Sequence, residues 1–491
     1  MSKSLSNNKI VGIVGFGAGG LSYLVQLIDS CIENNKHVDI SIFEKNKLPK
    51  GLAYGGISNY HILNLNTHVM SVSHTKPDNF YEWLQKEKSQ WTKKYDGIII
   101  DDLYPPRPLF GEYLEDVFLQ YMKIAEKHNI KVNIYNTEII DLAFVEENRI
   151  NLKDRKKTYF VDTVMLALGN FDSDKYTELN DKEGYYNSPW EKLNLKTKEP
   201  VVILGTRLTA IDTALYLFGE KKFNNKIYLV SRSGALPKII GLSKPYLLSF
   251  LNETNIKKNK NINLDKLGQL FKKEIEKAEG KKLDWEKIIN IEPSTLDALD
   301  EEIKIVEENK LRPWQSVLIS LYPLVPWIWS LLKNEEKEIF IKKYFSSWLT
   351  YLAAFPLKNA KKIKGFIESG SIEIVGGLKE VKYINGKYVL RFTKNNTIVT
   401  RTVINATGSG HNYTHSKLLM NMIEGNLINQ SNLGALDIDT KTCRLILNNP
   451  FTKKDVFAIG EITFGSWLAT ADLGQISRQA EIAINDLLNK I

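Results

Sequence analysis

The segment Gly15-Phe16-Gly17-Ala18-Gly19-Gly20 constrains the fold more than any other part of the sequence. It follows an apolar stretch, KIVGIV, and precedes the helical pattern LSYLVQLIDSCIE. In such a strand–turn–helix unit the first glycine permits the tight turn, the second lets the backbone approach a pyrophosphate, and the third lets helix and strand pack closely. The phosphates then lie at the helix N-terminus, against free N–H groups. The pattern therefore predicts dinucleotide binding through Gly15, Gly17, Ala18, Gly19 and Gly20.

The next apolar stretch, VDISIFEK, predicts a second strand that ends at Glu44 and Lys45. A carboxylate at this place accepts hydrogen bonds from both ribose hydroxyls and repels a 2′-phosphate, which favours FAD or NAD over NADP. Two later strand ends, Ala406-Thr407-Gly408 and Ala458-Ile459-Gly460-Glu461, are typical of the places where a flavoprotein chain returns to its cofactor. We therefore predict FAD, with Gly408, Gly460 and Glu461 among its contacts.

A second strand–turn–helix unit begins at PVVILG and continues with Gly205-Thr206-Arg207-Leu208-Thr209-Ala210. Its following strand ends at Ser231 and Arg232, and an arginine there suits a 2′-phosphate, so NADPH is favoured over NADH. The central glycine is replaced by Arg207, whose side chain occupies the space where a pyrophosphate approaches the backbone. Three outcomes stay open: Arg207 clasps a shifted pyrophosphate, weakens the site, or closes it. The predicted contacts are Gly205, Thr206, Arg207, Thr209, Ser231 and Arg232.

The two units and the pattern between them predict an α/β fold with two Rossmann-like dinucleotide-binding domains and a helical insertion. We expect residues 1–195 to form the N-terminal part of the FAD-binding domain. Residues 196–242 and 366–405 are expected to form the NAD(P)H-binding-like domain, and 243–365 a helical insertion on the substrate side. Residues 406–491 are expected to complete the FAD-binding domain.

Charge and cysteine content narrow the class of protein. The net charge of +9 comes from scattered lysines without a basic–aromatic motif, so we expect no nucleic-acid partner. Two distant cysteines, Cys31 and Cys443, cannot build a disulfide framework or a metal cluster, and a reducing cytoplasm is expected. The uncharged segment from Trp314 to Leu332 contains two prolines. It is read as a buried helix-turn-helix, with a lipid-surface or apolar-substrate patch as the alternative and no transmembrane span.

Several further segments resemble bacterial FAD/NAD(P)-binding proteins related to the flavin-dependent N-hydroxylating monooxygenases, which include aspartate N-monooxygenases. The resemblance covers nearly the whole chain. Its motifs are Gly51-Leu52-Ala53-Tyr54-Gly55, His61 to Asn66, Met70-Ser71, Asn79 to Leu84, Pro106 to Leu114, Ala167-Leu168-Gly169-Asn170, Ser188-Pro189-Trp190 and Gly460 to Gln479.

The resemblance implies an NADPH-dependent flavin monooxygenase that activates oxygen on reduced FAD and hydroxylates an amine or another small nucleophile. It places Ala53, Tyr54 and Gly169 at the cofactor, assigns no metal, and suggests Asn64, Met70, Ser71 and Arg107 for the flavin face. The chain departs from the family in the apolar stretch from Trp348 to Pro356, which hints at a more apolar substrate unless it only packs internally. A reductase or dehydrogenase without oxygenation, and an FAD-holding protein with a degenerate nicotinamide site, are the competing hypotheses.

Overall fold

The structure is a computed structural model of the chain. It describes residues 8–56, 58–86, 88–95, 103–145, 149–195, 198–259, 261–410, 415–429, 431, 433–449 and 455–490. Its strands are β1 (Lys9–Val14), β2 (Val38–Glu44), β3 (Val132–Asn136), β4 (Asp141–Val145), β5 (Arg149–Lys153), β6 (Thr158–Val161), β7 (Thr163–Leu166), β8 (Tyr185–Tyr186), β9 (Val201–Leu204), β10 (Ile227–Val230), β11 (Ile372–Val375), β12 (Leu378–Ile384), β13 (Lys387–Phe392), β14 (Thr397–Thr400), β15 (Val403–Asn405), β16 (Ile438–Asp439), β17 (Arg444–Leu445) and β18 (Asp455–Ala458).

The helices alternate with the strands at both ends of the chain and follow one another without strands in the middle. They are α1 (Ala18–Glu33), α2 (Gly51–Tyr54), α3 (Asn79–Lys86), α4 (Lys88–Lys94), α5 (Arg107–Lys127), α6 (Leu208–Gly219), α7 (Glu253–Lys258), α8 (Leu264–Glu279), α9 (Trp285–Ile289), α10 (Leu296–Glu307), α11 (Pro313–Leu321), α12 (Val325–Ser330), α13 (Asn334–Lys343), α14 (Phe345–Leu352), α15 (Leu357–Glu368), α16 (Lys417–Glu424) and α17 (Leu473–Leu488).

The chain packs as two units, one comprising Met1–Asn59, Leu65–Phe171 and His411–Ile491, the other Tyr60–Asn64 and Asp172–Gly410. The sequence-based boundary near residue 195 therefore differs from the packing boundary at 171. The reason is β8, which pairs in parallel with β15 and so carries the preceding segment into the second unit. The helical segment 243–365 also belongs to the second unit.

The first unit is built on a sheet with the order β16-β17-β18-β7-β1-β2-β3. The strands from β18 to β3 run parallel. Strands β18, β7, β1 and β2 are mostly buried, as expected for a parallel sheet covered on both faces, whereas the edge strand β3 is partly exposed. Helix α1 packs against α5 and α17, and the antiparallel strands β4, β5 and β6 form a separate small sheet. The glycine-rich turn therefore lies at the carboxyl edge of a parallel sheet, where ligands of such folds bind.

The second unit repeats this plan with the parallel order β11-β10-β9-β15-β8 and an antiparallel sheet of β12, β13 and β14. The predicted pair of Rossmann-like folds with a helical insertion is confirmed. Strand β15 lies next to β9, so Ala406-Thr407-Gly408 follows a strand of the second sheet. Its expected place as a return to the first sheet is therefore wrong, because the strand before it pairs with β9.

The uncharged segment forms α11, a 3-10 turn at Tyr322–Leu324, and α12, which confirms the predicted helix-turn-helix. The Trp314 ring meets the Tyr351 ring of α14 edge-to-face, with centroids 5.3 Å apart. The two apolar stretches thus pack against each other. Among the described residues, no helix combines the length and the apolar character needed to cross a membrane.

Candidate cofactor sites

The first glycine-rich turn has no room for side chains at its two ends. Gly15 adopts φ +87°, and a Cβ there would lie 2.4 Å from the carbonyl oxygen of Ala167. A Cβ on Gly20 would lie 2.4 Å from the carbonyl oxygen of Gly15. Both positions therefore require glycine, as the motif predicts.

The middle of the turn is open toward a ligand. Gly17 precedes α1 as its N-cap residue and has an extended backbone. No side chain caps this helix, and its first turn contains no acidic residue. Ala18 and Gly19 follow as the first helical residues. The leading N–H groups and the positive end of the helix dipole are therefore available to an anion, which fits a pyrophosphate.

Glu44 is tied to this turn by backbone hydrogen bonds. Its Oε2 accepts from the N–H of Phe16 at 2.7 Å, and its Oε1 accepts from the N–H of Asn46 at 2.8 Å. Each carboxylate oxygen keeps a second lone pair, so the fixed carboxylate can still accept ribose hydroxyls. Lys45 points elsewhere, since its ammonium group pairs with Glu138 at 2.7 Å on the exposed surface.

The short helix α2 lies directly beside the turn. The Cα of Gly51 would be 3.3 Å from a Cβ on Gly17, and Ala53 and Tyr54 complete the helix. Burial raises the pKa of Tyr54 to about 12, while Arg107 opposes this rise and Asp472 adds to it. Tyr54, Arg107 and Asp472 therefore share one electrostatic environment, although they are distant in sequence.

Asp472 caps helix α17, where its side chain accepts from the N–H of Gln475 at 2.9 Å. Burial raises the pKa of Asp472, and the backbone donors of Gln475 and Gly474 act in the opposite direction. Gln475 is 5% exposed, and its Oε1 has no hydrogen-bond partner within the described part of the chain. An unsatisfied buried acceptor in the first turn of a helix is a place for a ligand donor. Neither Asp472 nor Gln475 was predicted as a site residue from the sequence.

The closing strand β18 leads to Gly460, whose N–H donates to Gln479 Oε1 at 2.8 Å. Glu461 accepts from the hydroxyl of Thr470 at 2.7 Å. Both predicted residues therefore lie at the carboxyl edge of the first sheet, as does Gly169, which follows β7. A Cβ on Gly169 would have no heavy atom within 4 Å, so its φ of +75° rather than crowding explains the glycine.

The residues suggested for the flavin face divide between the two units. Met70 and Ser71 are buried in the first unit, where Ser71 Oγ accepts from the N–H of Ser73 at 3.0 Å. Arg107 begins α5 in the same unit. Asn64 packs with the second unit instead. Local sequence does not reveal this division, because Asn64 and Met70 are only six positions apart.

The second turn has the same backbone design as the first. Gly205 adopts φ +127°, and a Cβ there would lie 2.5 Å from the carbonyl oxygen of Ala406. The N–H of Gly205 donates to Val230 O at 2.7 Å, as the N–H of Gly15 donates to Phe43 O at 2.9 Å. The segment Ala406-Thr407-Gly408 therefore packs against the second turn in the same way as Ala167-Leu168-Gly169 packs against the first. Gly408 remains a predicted contact, but on this second edge.

Side chains rather than backbone distinguish the second turn. Thr206 is buried, and its hydroxyl donates to Ala235 O at 2.6 Å and lies 3.1 Å from Ser231 Oγ. Thr209 lies in the first turn of α6, where its carbonyl accepts from the Thr213 hydroxyl at 2.6 Å. Arg232, two residues beyond β10, is exposed. Ser231 and Arg232 occupy the register positions that Glu44 and Lys45 hold in the first unit.

Arg207 precedes α6 as its N-cap residue in the extended conformation, with φ −102° and ψ −166°, close to the φ −84° and ψ −156° of Gly17. The substitution therefore leaves the turn intact. Its guanidinium turns to α14, where it donates to Ser346 O, to Ser346 Oγ at 2.8 Å and to Thr350 Oγ1 at 3.4 Å. Burial and the nearby Arg232 lower the pKa of Arg207 to about 10, so it stays charged at neutral pH.

Comparison with known proteins agrees with this arrangement. Residues 12–171 match the family model described as FAD-NAD(P)-binding. An Escherichia coli (strain K12) protein, uncharacterized protein YdhS, is 24% identical over 456 residues, covering 82% of this chain and 83% of its own.

Similar solved structures come from flavin N-hydroxylases. Reduced ornithine hydroxylase (PvdA) from Pseudomonas aeruginosa matches with a TM-score of 0.60 and 14% identity, over 98% of this chain and 99% of its own. L-lysine 6-monooxygenase from Pseudomonas syringae matches with a TM-score of 0.60 and 12% identity, over 99% and 100%. The ornithine N-hydroxylase of Kutzneria sp. 744, solved with reduced FAD, NADP+ and L-ornithine, gives 0.58 and 12%, over 98% and 99%. At these identities the likeness establishes the fold.

Proposed function

We propose that this chain, which carries an FAD-NAD(P)-binding domain and the fold of the flavin N-hydroxylases, is an FAD-dependent monooxygenase reduced by NADPH. One observation carries the proposal. The two glycine turns share one backbone geometry but differ in charge beside the ribose position, because Ser231 takes the place of Glu44 in the second unit and the exposed Arg232 follows it. Such a pair suits an unphosphorylated adenosine ribose at one turn and a 2′-phosphorylated ribose at the other.

The first unit is proposed to hold FAD. Glu44 accepts the ribose hydroxyls, and the N–H groups at the start of α1 receive the pyrophosphate. The buried Gln475 Oε1 offers an acceptor for a cofactor N–H donor. Met70 and Ser71 supply buried surroundings that exclude water. Arg107 and Asp472, which both act on Tyr54, complete the charged groups of this site.

The chemistry belongs to the cofactor. FAD bound in the first unit would supply the redox chemistry: NADPH would provide a hydride, one atom of molecular oxygen would go to the nucleophile, and the other would leave as water with a proton from solvent. The chain has to bind both nucleotides, orient them and keep the site dry. Within the described ranges, no group of three or more His, Cys, Asp or Glu residues is arranged to hold a metal ion.

The proposed substrate is a small-molecule amine. The names of the structurally similar proteins specify ornithine, lysine and cadaverine as substrates. The sequence hint of an apolar substrate loses much of its basis, because the apolar stretches around Trp314 and Tyr351 contact each other. An apolar compound remains the alternative substrate class.

The two thiols bear on the competing reductase hypothesis and on location. Cys31 and Cys443 are free and buried, and burial raises the pKa of Cys31 to about 11 and that of Cys443 further still. Neither is a ready thiolate, so a dithiol-type reductase receives no support. Free cysteines also fit a reducing compartment, and we propose the cytoplasm.

Product analysis tests the proposed function. The flavin-loaded protein is incubated with NADPH, oxygen and a panel of diamines and basic amino acids, and hydroxylated products are quantified against oxygen consumed. A monooxygenase gives hydroxylated product in proportion to oxygen uptake. Flavin reduction that yields only peroxide or a reduced acceptor, with no hydroxylated product from any amine or apolar compound tested, would contradict the proposal and favour the reductase.

A further inference from the structure

Three cationic residues lie at the carboxyl edge of the second sheet. The carbonyl oxygen of Lys175 accepts from Asn405 Nδ2 at 3.0 Å at the end of β15, Arg207 follows β9, and Arg232 follows β10. Partial burial and the positive charges of Arg232 and Arg207 lower the pKa of Lys175. Burial and the positive charge of Arg232 also lower the pKa of Arg207. Burial raises the pKa of the neighbouring Tyr176, and the positive charge of Arg232 opposes this rise. We call Lys175, Arg207 and Arg232 the basic cluster.

The basic cluster lacks balancing acids. Within the described residues, no carboxylate lies at ion-pair distance from any of its three members, although Asp174 is near enough to act on Lys175. Like charges held together without counter-charges cost free energy in the folded chain. A chain keeps such an arrangement when an anion supplies the missing charge.

The cluster also surrounds the start of α6. Arg207 is the N-cap residue directly before this helix, no side chain caps the helix, and its first turn contains no acidic residue. The helix N–H groups and the cationic side chains therefore attract the same anion. Arg207 corresponds in register to Gly17, and Arg232 directly follows Ser231, which corresponds to Glu44. The cluster therefore extends from the pyrophosphate position to the residue beside the ribose position of a bound dinucleotide.

Arg207 currently uses neutral acceptors. Its guanidinium is held by the carbonyl and hydroxyl of Ser346 and the hydroxyl of Thr350, all on α14. A phosphate adds the attraction of a full negative charge and a bidentate geometry to the hydrogen bonds of a guanidinium, whereas the oxygens of Ser346 and Thr350 are neutral acceptors. An arriving pyrophosphate therefore competes favourably for the same guanidinium.

We propose that the basic cluster holds the phosphates of the nicotinamide nucleotide, with Lys175 and Arg232 taking the 2′-phosphate and Arg207 the pyrophosphate. Arg207 exchanges its partners on α14 for the pyrophosphate, so nucleotide binding releases α14. Lys175 is then a specificity-determining residue for NADPH, and Arg207 is a positioning residue that couples the nucleotide to the helical insertion. This inference rests on the proposed function for the identity of the nucleotide.

Binding measurements without turnover test the inference. The flavin-loaded protein is titrated with NADP+, NAD+ and inorganic pyrophosphate by calorimetry. Loss of one charge-assisted contact weakens binding by roughly 10- to 100-fold. Lys175→Gln should weaken NADP+ by this factor and leave NAD+ unchanged, whereas Arg207→Gln should weaken all three probes. Lys394→Gln, an exposed lysine of the same unit, is the matched control and should bind as the parent does.

Two readouts separate these roles from a merely structural one. In the nucleotide-free state Lys175→Gln should raise the Tm, because it removes a like charge, while a structural lysine would lower the Tm on removal. Hydrogen exchange in Phe345–Leu352 should accelerate when NADP+ binds, and it should already be fast in Arg207→Gln without nucleotide.

Unchanged NADP+ affinity in Lys175→Gln and Arg207→Gln would overturn the phosphate site. Unchanged or slower exchange of α14 on NADP+ binding would overturn the exchange of partners. If NADP+ binds as expected but no hydroxylated product forms, the monooxygenase proposal fails and the phosphate site stands.

Discussion

The two glycine turns are two uses of one backbone. Each has a first glycine with positive φ pressed against an alanine carbonyl, Ala167 for Gly15 and Ala406 for Gly205. Each has an extended N-cap residue before its helix, Gly17 or Arg207. The difference lies in the side chains, because Gly17 and Glu44 of the first unit correspond to Arg207 and Ser231 of the second. We therefore infer that the backbone geometry of each turn selects a dinucleotide and that the charge of the surrounding side chains selects between FAD and NADPH.

The comparison also shows why an arginine is tolerated in the second turn. At Gly17 the neighbouring α2 leaves little room for a side chain, because a Cβ there would lie 3.3 Å from the Cα of Gly51. At Arg207 the side chain finds hydrogen-bond acceptors on α14 instead. The helical insertion thus contacts the second glycine turn through Arg207.

Transplanting the arginine should produce the largest effect. Gly17→Arg places a side chain against α2 and across the approach of the pyrophosphate, so the purified variant should contain at least about 10-fold less flavin. Gly268→Ala, in α8 with no heavy atom within 4 Å of the new Cβ, is the control. It should retain flavin and gain about 0.5–1 kcal/mol of stability. Parent-like flavin content in Gly17→Arg would break the comparison.

Alanine at the first glycine of each turn should give matched destabilisation but opposite losses of ligand. Gly15→Ala and Gly205→Ala each create a contact near 2.5 Å with a carbonyl oxygen at positive φ. Each should lower the free energy of unfolding by roughly 2–3 kcal/mol. Absorbance and calorimetry should show that Gly15→Ala loses flavin and keeps NADP+ binding, and that Gly205→Ala does the reverse. Loss of both ligands in both variants would argue against independent sites.

Moving the acid should change nucleotide preference by a smaller factor. Ser231→Glu puts a carboxylate at the position that Glu44 holds in the first unit. It should weaken NADP+ by about 10-fold through repulsion of the 2′-phosphate, with little loss of NAD+ affinity. The ratio of the two dissociation constants measures this directly. A ratio that does not move would mean that Ser231 lies away from the ribose.

The pH dependence should be the smallest effect. Partial burial, Arg232 and Arg207 lower the pKa of Lys175, so Lys175 loses its proton at a lower pH than an ordinary lysine. NADP+ affinity should be full below this pKa and fall as pH rises through it, because phosphate favours the charged form. Flavin retention should stay constant over the same interval, and Lys175→Gln should give a flat NADP+ profile.

Stability should show the opposite slope in the nucleotide-free protein. Between the lowered pKa of Lys175 and the ordinary lysine value, the unfolded chain binds the proton more tightly than the folded chain. The contribution of Lys175 to the free energy of unfolding therefore rises with pH in that window. Melting curves of the parent and Lys175→Gln, which lacks this contribution, should converge as the pH increases.

The sequence predicted what depends on short-range pattern. Both turns, the strand ends at Glu44 and Ser231, and the helix-turn-helix at Trp314 follow from local spacing of glycines, charges and apolar residues. The pairing of strands that are distant in sequence could not be predicted from these local patterns. Gly408 follows a strand whose sequence would fit either sheet. Only the pairing of β15 with β9 shows that this strand belongs to the second sheet. Lys45 occupies the expected position, yet Glu138 draws its side chain to the surface.

Charge clusters formed by distant segments were likewise hidden. Lys175 lies in a loop without a recognisable pattern, and its proximity to Arg232 depends on the tertiary fold. Arg207 reaches Ser346, 139 positions along the chain. The sequence shows that an arginine replaces the central glycine of the second turn. It does not show that the side chain binds α14, because no local pattern connects that helix to the turn.

The most direct test of the account is anaerobic reduction of the bound flavin. The purified flavoprotein is mixed with NADPH, and separately with NADH, while the visible flavin band is followed. The account predicts that NADPH bleaches the band rapidly and that NADH does so much more slowly at equal concentration. A band that stays oxidised with NADPH would show that the turn carrying Arg207 does not serve a nicotinamide nucleotide, and would contradict the central claim.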